Sequence, residues 1–452
     1  MPRSGRLRSA ARTGALMGVC ALAGGALFNV SAQSQPRARE ATVQSSRPAP
    51  LQHMTQLVRS GRQTFRFDDF GDNAFWGGAL QLHKAIEGSA NGGVGPGVSP
   101  KTALSVGLKV DVNALPKSVK DALKAGKVDL NSPNTTLALL KLNAVVGLKG
   151  RFNNKGRLSS IGITCAVCHS TVNNSFAPGI GSRLDGWPNR DLNVGAIISL
   201  APNLTPVTNL LGVDAATVKK VLAAWGPGKF DAELFLDGKG FRPHGKTAAT
   251  LIPPAYGIAG VNLHTYTGWG SIPYWNAFVA VLEMHGQGNF TDERLDDATK
   301  FPIAARNKFG HVRVKQDRVT AKLPGLQAYQ LSLAAPRPRS GFNRAAARRG
   351  KAVFDGAGRC ASCHMPPTFT DSGWNLHRPE EICTDNFQAQ RSPTNGYRTT
   401  PLRGVATHAK GGFYHDGRFS SLLQVVQHYN SCMNLGLSGG QQSDLVQYLR
   451  SL

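Results

Sequence analysis

The sequence predicts a mainly α chain in which two cofactor-binding modules follow a loop-rich N-terminal extension. Three observations predict it. The pattern Cys-x-x-Cys-His occurs twice, at Cys165–His169 and Cys360–His364. Apolar residues recur at helical spacing in both halves. Gly is plentiful at 51 residues and aromatics are few at 8%, a composition suited to loops organised around cofactors. In each pattern the two thiols add across the vinyl groups of one haem and the adjacent imidazole lies under its iron. A zinc site or a disulfide oxidoreductase does not need a histidine after both pairs. The chain therefore reads as a di-haem cytochrome c with two covalently bound haem c groups. Cys165, Cys168, Cys360 and Cys363 are the attachment points, and His169 and His364 are the proximal iron ligands.

Residues 1–32 read as an export signal. Arg3, Arg6, Arg8 and Arg12 precede the apolar stretch Ala15–Val30, and small residues at Val30-Ser31-Ala32 offer a cleavage site before Gln33. Val19 before Cys20 makes a poor lipoprotein signal. The apolar stretch is short and Gly-rich for a membrane span, and no later segment is better suited, so no stable membrane insertion is expected after cleavage. Haem attachment to such motifs takes place outside the bacterial cytoplasm, so the expected location is the periplasm or beyond. Of the seven cysteines, Cys383 and Cys432 remain after the signal and the haem motifs are assigned. An oxidising compartment favours a disulfide between them, with two buried thiols as the alternative. The 52 basic and 27 acidic residues give a formal charge of +25. Such a field suits an acidic electron-donor protein, an anionic surface or a polyanion, or serves solubility alone. No nucleic-acid motif accompanies it, so no nucleic-acid partner is expected.

Along the chain, residues 33 to about 60 are polar and read as a flexible leader to an extension that ends near residue 150. The Gly-rich run Gly88–Gly97 lacks a phosphate-loop ending and reads as a loop. Pro116–Lys124 reads as a short helix opened by proline. The first haem module spans 151–335. Its loops carry Arg183 and Arg190, candidates for holding haem propionates or ordinary loop arginines. Helices are expected over Asp214–Trp225 and Pro273–Met284, the latter with Trp275, Phe278, Val279 and Leu282 on one apolar face. The second module spans 336–452. Its opening helix Phe342–Phe354 and closing helix Ser438–Leu452, with Leu445, Val446, Leu449 and Leu452 inward, are expected to cross beside the second haem.

The run Thr400-Pro401-Leu402-Arg403-Gly404-Val405, then Gly412-Phe413-Tyr414-His415-Asp416-Gly417-Arg418-Phe419 and Leu422–Asn430, resembles a block of the bacterial di-haem cytochrome c peroxidase/MauG superfamily. That superfamily also contains rubber-oxygenase-type dioxygenases. The resemblance covers the second module well, the first loosely and the extension hardly at all; a long segment before the first haem is more similar to the rubber-oxygenase branch. It implies that peroxide or dioxygen reacts at the haem on His169 while the haem on His364 relays electrons from a small redox protein. It implies a coupling tryptophan, for which Trp275 is the choice and Trp269 the second. It implies a distal ligand of the second haem, assigned to Tyr429 with His428 and Met433 as rivals and a plain core tyrosine as the alternative. His415 is expected to support that pocket by hydrogen bonding. A distal carboxylate near the first haem falls to Glu293 or Glu283, neither in a convincing motif. Phe290 hints at an apolar distal pocket suited to dioxygen. His244, His264, Met284 and His285 are candidates for closing the first iron. Calcium between the modules is a further expectation, weakened because Gly412 stands where the family has proline. The leading function is a periplasmic peroxidase-like oxidoreductase; the alternatives are a MauG-like or rubber-oxygenase-like oxygenase and a non-enzymatic electron carrier.

Overall fold

Helices dominate residues 49–371, 373 and 375–452, the part of the chain described by a computed structural model. Strands among the described residues form five two-stranded ribbons. The export signal expected at 1–32 and the first part of the leader lie outside the described residues. No helix of the described residues is long and apolar enough to cross a membrane.

The leader differs from expectation where it is described. Ala49–Phe67 is a single helix packed along the helix Leu323–Ser332. Two glycines permit the close approach: a Cβ on Gly61 would lie 1.8 Å from the Gly325 carbonyl oxygen. Phe65 sets its ring edge-on to Tyr329 at 5.5 Å. Polar composition pointed to a flexible segment because the partner that orders it lies far along the sequence.

Other elements follow their local signals. Pro116 caps the helix Lys117–Lys124, and Asp214 caps Ala215–Trp225 by accepting the Thr217 N–H at 2.7 Å. Ser438 and Gln441 form a reciprocal capping box on Gly439–Ser451. This closing helix crosses Arg344–Asp355 at Gly350, where a Cβ would meet the Asp444 carbonyl at 2.0 Å. Leu445, Val446 and Leu449 are buried there, as the sequence predicts. The expected helix Pro273–Met284 is α-helical over Ile272–Phe278 and widens into a π turn over Val279–Glu283. The wider turn splits the predicted apolar face: Phe278 and Leu282 enter the core, while Trp275, Val279 and Glu283 face a cavity.

Three apolar cores hold these elements. Two of them mix residues of the N-terminal extension, such as Trp76, Leu80 and Phe65, with residues after the first haem motif; the third runs from Val353 to Leu449. One local plan occurs twice. Gly257 and Gly404 both have positive φ, each precedes a β-bridge between residues six positions apart (His264 to Gly270 and Phe413 to Phe419), and a helix led by Ser271 or Ser421 follows. Gly268 and Gly417, both at positive φ, sit at the same place inside the two bridges.

Candidate haem centres

The first motif lies at a short helical turn, Ala166–His169, between two ribbons. Cys165, Cys168 and His169 all face one cavity of about 330 Å³. Its wall is mostly aliphatic and aromatic, and part of it, including Phe75, Trp76 and Leu80, comes from the N-terminal extension. Burial holds the His169 imidazole neutral, its pKa lowered to about 4, and its Nδ1 has no hydrogen-bond partner. Burial likewise raises both thiols to about 12, so neither is a free thiolate. Two adjacent thiols and a neutral imidazole on one apolar cavity suit a covalently attached haem.

The polar groups on that cavity are few. Arg398 faces it, is buried, and is held by the Leu263 and Thr265 carbonyls rather than by a carboxylate. Burial lowers its pKa to about 10. A buried cation without an anionic partner fits a haem propionate. Arg190 is also buried, with Nε unpartnered, but does not line the cavity. Arg183 has its own anion: Nε stands 3.2 Å from Asp111.

Glu283, Glu233 and Gln388 also line the cavity. The Glu283 and Glu233 side chains are buried, each with Oε2 unpartnered. Burial first, then the nearby charges of Glu233 and Asp231, push Glu283 well above the usual carboxylate range. Burial raises Glu233 to about 7 against the pull of Arg391. Glu293, by contrast, is exposed on the turn Glu293–Asp296 and is not part of the cavity wall. Of the two carboxyls expected near the first haem, Glu283 faces the cavity and Glu293 does not. Phe290 packs against Tyr274 and Phe278 in the core, away from the cavity. The aromatic wall of the cavity includes Phe75 and Trp76 instead.

Trp275 lines the cavity with its indole N–H buried and unpartnered. Trp269 stands edge-on to it at 5.5 Å, but its N–H is committed to Asp292 at 3.3 Å. Of the four residues considered for closing the first iron, His244 is exposed and outside the cavity. His264 engages the Val261 carbonyl through Nε2 at 3.0 Å. His264, Met284 and His285 all line the cavity; the His285 ring stacks on Phe75 at 3.7 Å from a left-handed backbone, φ 60°.

At the second motif, His364 Nδ1 bonds the Phe369 carbonyl at 3.0 Å, which leaves Nε2 for an iron. Tyr429 belongs to the helix Leu422–Cys432. Burial raises its phenol pKa, a hydrogen bond with Tyr414 draws it back, and nearby Cys363 and Cys360 raise it further. Its ring lies 6.1 Å from that of Tyr414. His428 commits Nε2 to the Cys383 carbonyl at 2.8 Å, and Met433 lies beyond the helix end. Cys383 and Cys432 form the disulfide, which ties the helix end to the loop before Asp385. His415 lies elsewhere than expected. It is stacked on Tyr397 at 5.2 Å, its Nε2 lies 3.7 Å from the Asp385 carboxylate, and its carbonyl accepts the Leu251 N–H at 2.7 Å. It joins the two halves of the chain rather than hydrogen-bonding at the second motif.

The calcium expectation gains no support among the described residues. Asp385 and Asp416, grouped with His415, are already paired with Arg418, and Asp385 also with Arg242 at 3.0 Å. Cys363, which lies with Asp371 and His377, is one of the thiols expected to attach the second haem.

No family model matches the chain. Methylamine utilization protein MauG of Methylorubrum extorquens is 30% identical over 158 residues, covering 32% of this chain and 44% of that protein. Cytochrome-c peroxidase IdrP1 of Denitromonas iodatirespirans is 26% identical over 223 residues, covering 37% and 58%. The chain spans about half the length of the curated relatives it matches. A solved chain of Kuenenia stuttgartiensis hydrazine synthase aligns over 47% of this chain and 76% of its own, at 17% identity and TM-score 0.27, too loose a likeness to bear on fold or function.

Proposed function

We propose that this chain, a relative of the di-haem cytochrome c peroxidase/MauG family, is a periplasmic di-haem c-type oxidoreductase that reduces hydrogen peroxide at the haem on His169. The haem on His364 passes on electrons from a small redox protein. Residues 151–335 and 336–452 carry one haem each. The observation that carries this reading is the pair of buried carboxyls, Glu283 and Glu233, on the cavity that also holds the first motif.

When bound, the haem supplies an iron that accepts peroxide oxygen and exchanges electrons. The protein does the rest. Cys165 and Cys168 fix the haem covalently, His169 sets its proximal side, and Arg398 offers a cation to a propionate. The aliphatic wall excludes water, so a carboxyl there keeps its proton at neutral pH. Glu283, protonated, donates to the departing peroxide oxygen and recovers the proton afterwards. Trp275 offers an aromatic stepping stone beside the cavity. At the second haem the Tyr429 oxygen supplies a ligand that favours oxidised iron.

A second reading rests on the apolar wall contributed by Phe75, Trp76 and Leu80, which suits an organic substrate oxidised by dioxygen. Peroxide-dependent oxidation of a reduced cytochrome supports the first reading. Dioxygen uptake that requires an added organic substrate supports the second. Oxidised holoprotein that binds neither cyanide nor, once reduced, carbon monoxide refutes both and leaves an electron carrier. Glu283→Gln is expected to lower peroxide turnover by roughly 10²-fold; unchanged turnover overturns the role of Glu283.

A further inference from the structure

Peroxide reduction to water consumes two electrons and two protons: H2O2 + 2 e⁻ + 2 H⁺ gives 2 H2O. Glu283 supplies a place for one proton. The surroundings of Glu233 account for the other.

The cation available to the buried acids near Glu233 is Arg391, itself 1% exposed. It pairs with Asp231 at 3.0 Å and with Asp237 at 2.7 Å. Those two carboxylates already exceed it by one negative charge. Glu233 and Glu283 form no ion pair of their own among the described residues, yet both are more than nine-tenths buried and both face the cavity with an unpartnered oxygen. Two further anions in this apolar wall have no compensation, so the low-cost state of each is the neutral acid. The remaining groups facing Glu233 do not change this balance. Gln388 hydrogen-bonds Glu233 and draws its pKa down but brings no charge, and its Oε1 is buried and unpartnered. Arg306, the charged residue of the neighbouring helix Pro302–Arg306, donates to the Leu210 carbonyl.

We infer that Glu233 is a proton-positioning residue that works with Glu283 as a two-proton store on the first haem cavity, Glu233 reloading Glu283 so that both peroxide oxygens leave as water. This rests on the peroxidase reading. Glu283 faces the reacting atoms; Glu233 acts through it. The electrons come from the reduced one-electron donor protein, and each carboxylate recovers its proton from solvent after turnover. Burial and the neighbouring acids set Glu233 near 7, so its store is full below that pH and empties as pH rises through it.

The test uses holoprotein carrying both haems. The infrared difference spectrum between reduced and oxidised protein at pH 6 is expected to contain two protonated-carboxyl C=O bands. Glu233→Gln removes one and Glu283→Gln the other. In steady-state peroxide assays Glu233→Gln lowers kcat roughly tenfold with KM unchanged. It also abolishes the fall in kcat that wild-type protein shows as pH rises through about 7. Glu233→Asp, which keeps a transferable proton, restores part of that profile. Glutamine matches the neutral acid in shape, so the fold and the Soret band are retained. Two bands that persist in Glu233→Gln overturn the inference, and so does a pH profile identical to wild type. Both bands present without peroxide turnover by the wild type refute the peroxidase reading and the delivery step, and leave the two-proton site standing.

Discussion

Replacing Arg391 by methionine isolates the charge balance beneath the first cavity. The arginine is 1% exposed and the Asp231 and Asp237 side chains are both fully buried. Methionine keeps the volume of the side chain and removes the charge. Two carboxylates that share one cation then share none, and breaking a buried ion pair from one side costs about 3–5 kcal/mol. That is roughly 10²- to 10³-fold or more in the folding equilibrium. The acids escape part of the cost by taking protons, which raises their folded-state pKa above that of the unfolded chain. The folded state then binds more protons than the unfolded state, so stability falls as pH rises through the window between the two pKa values. The deficit of the variant is therefore smaller at pH 5 than at pH 8. Urea denaturation of holoprotein at both pH values, followed by far-UV circular dichroism and Soret absorbance, measures it. A loss below about 0.5 kcal/mol at both values would mean that the acids are solvated, and would remove the basis for the neutral state of Glu233 and Glu283. Combining Arg391→Met with Asp231→Leu and Asp237→Leu is expected to recover most of the loss, because an apolar trio replaces the ionic one.

Other consequences are equally direct. Opening the Cys383–Cys432 disulfide with alanine at both positions releases a loop spanning 49 residues; on the chain-entropy relation it costs about 4 kcal/mol, read as a lower urea midpoint. Gly61→Ala should detach the helix Ala49–Phe67 from Leu323–Ser332, since the new Cβ meets backbone at 1.8 Å. Faster proteolysis of that helix is the readout, and wild-type resistance would mean the helices slide apart at little cost. Tyr429→Phe is expected to alter the low-spin ferric signal of the second haem in electron paramagnetic resonance. An identical spectrum would transfer the ligand role to another side chain.

Much of the local structure was legible. The helices expected over Asp214–Trp225, Phe342–Phe354 and Ser438–Leu452 are present, capped by Asp214, Asn343 and Ser438, because a side-chain oxygen needs only the next few N–H groups. The haem motifs were legible for the same reason: five consecutive residues carry all the covalent chemistry. The distal side of the first haem was not. Glu293 has the residue type the chemistry needs, but lies on an exposed turn. Glu283, named beside it, reaches the cavity at the end of the π turn Val279–Glu283, and nothing in the sequence ranked the one above the other. Asp231, Glu233 and Asp237 did leave a sequence signal, an acidic cluster around apolar Leu234–Leu236 in a strongly basic chain. Nothing nearby showed that Arg391 would neutralise it, and Arg398 likewise reaches the first cavity from far along the chain.

The sequence alone supplied the expectation of two haem attachment motifs, with their thiols and proximal histidines, because such a motif depends on a spacing of a few residues. It determined the approximate ends of a few helices, such as Ala215–Trp225 and Gly439–Ser451, and the strongly basic balance of the chain. The tertiary structure decided which groups share a cavity. It brought the N-terminal extension over the first motif and set Glu233 beside Glu283. It anchored the Tyr429 helix through a disulfide and turned His415 into a joint between the halves. Burial and charge compensation are properties of several distant segments packed together, and no one of those segments carries them alone.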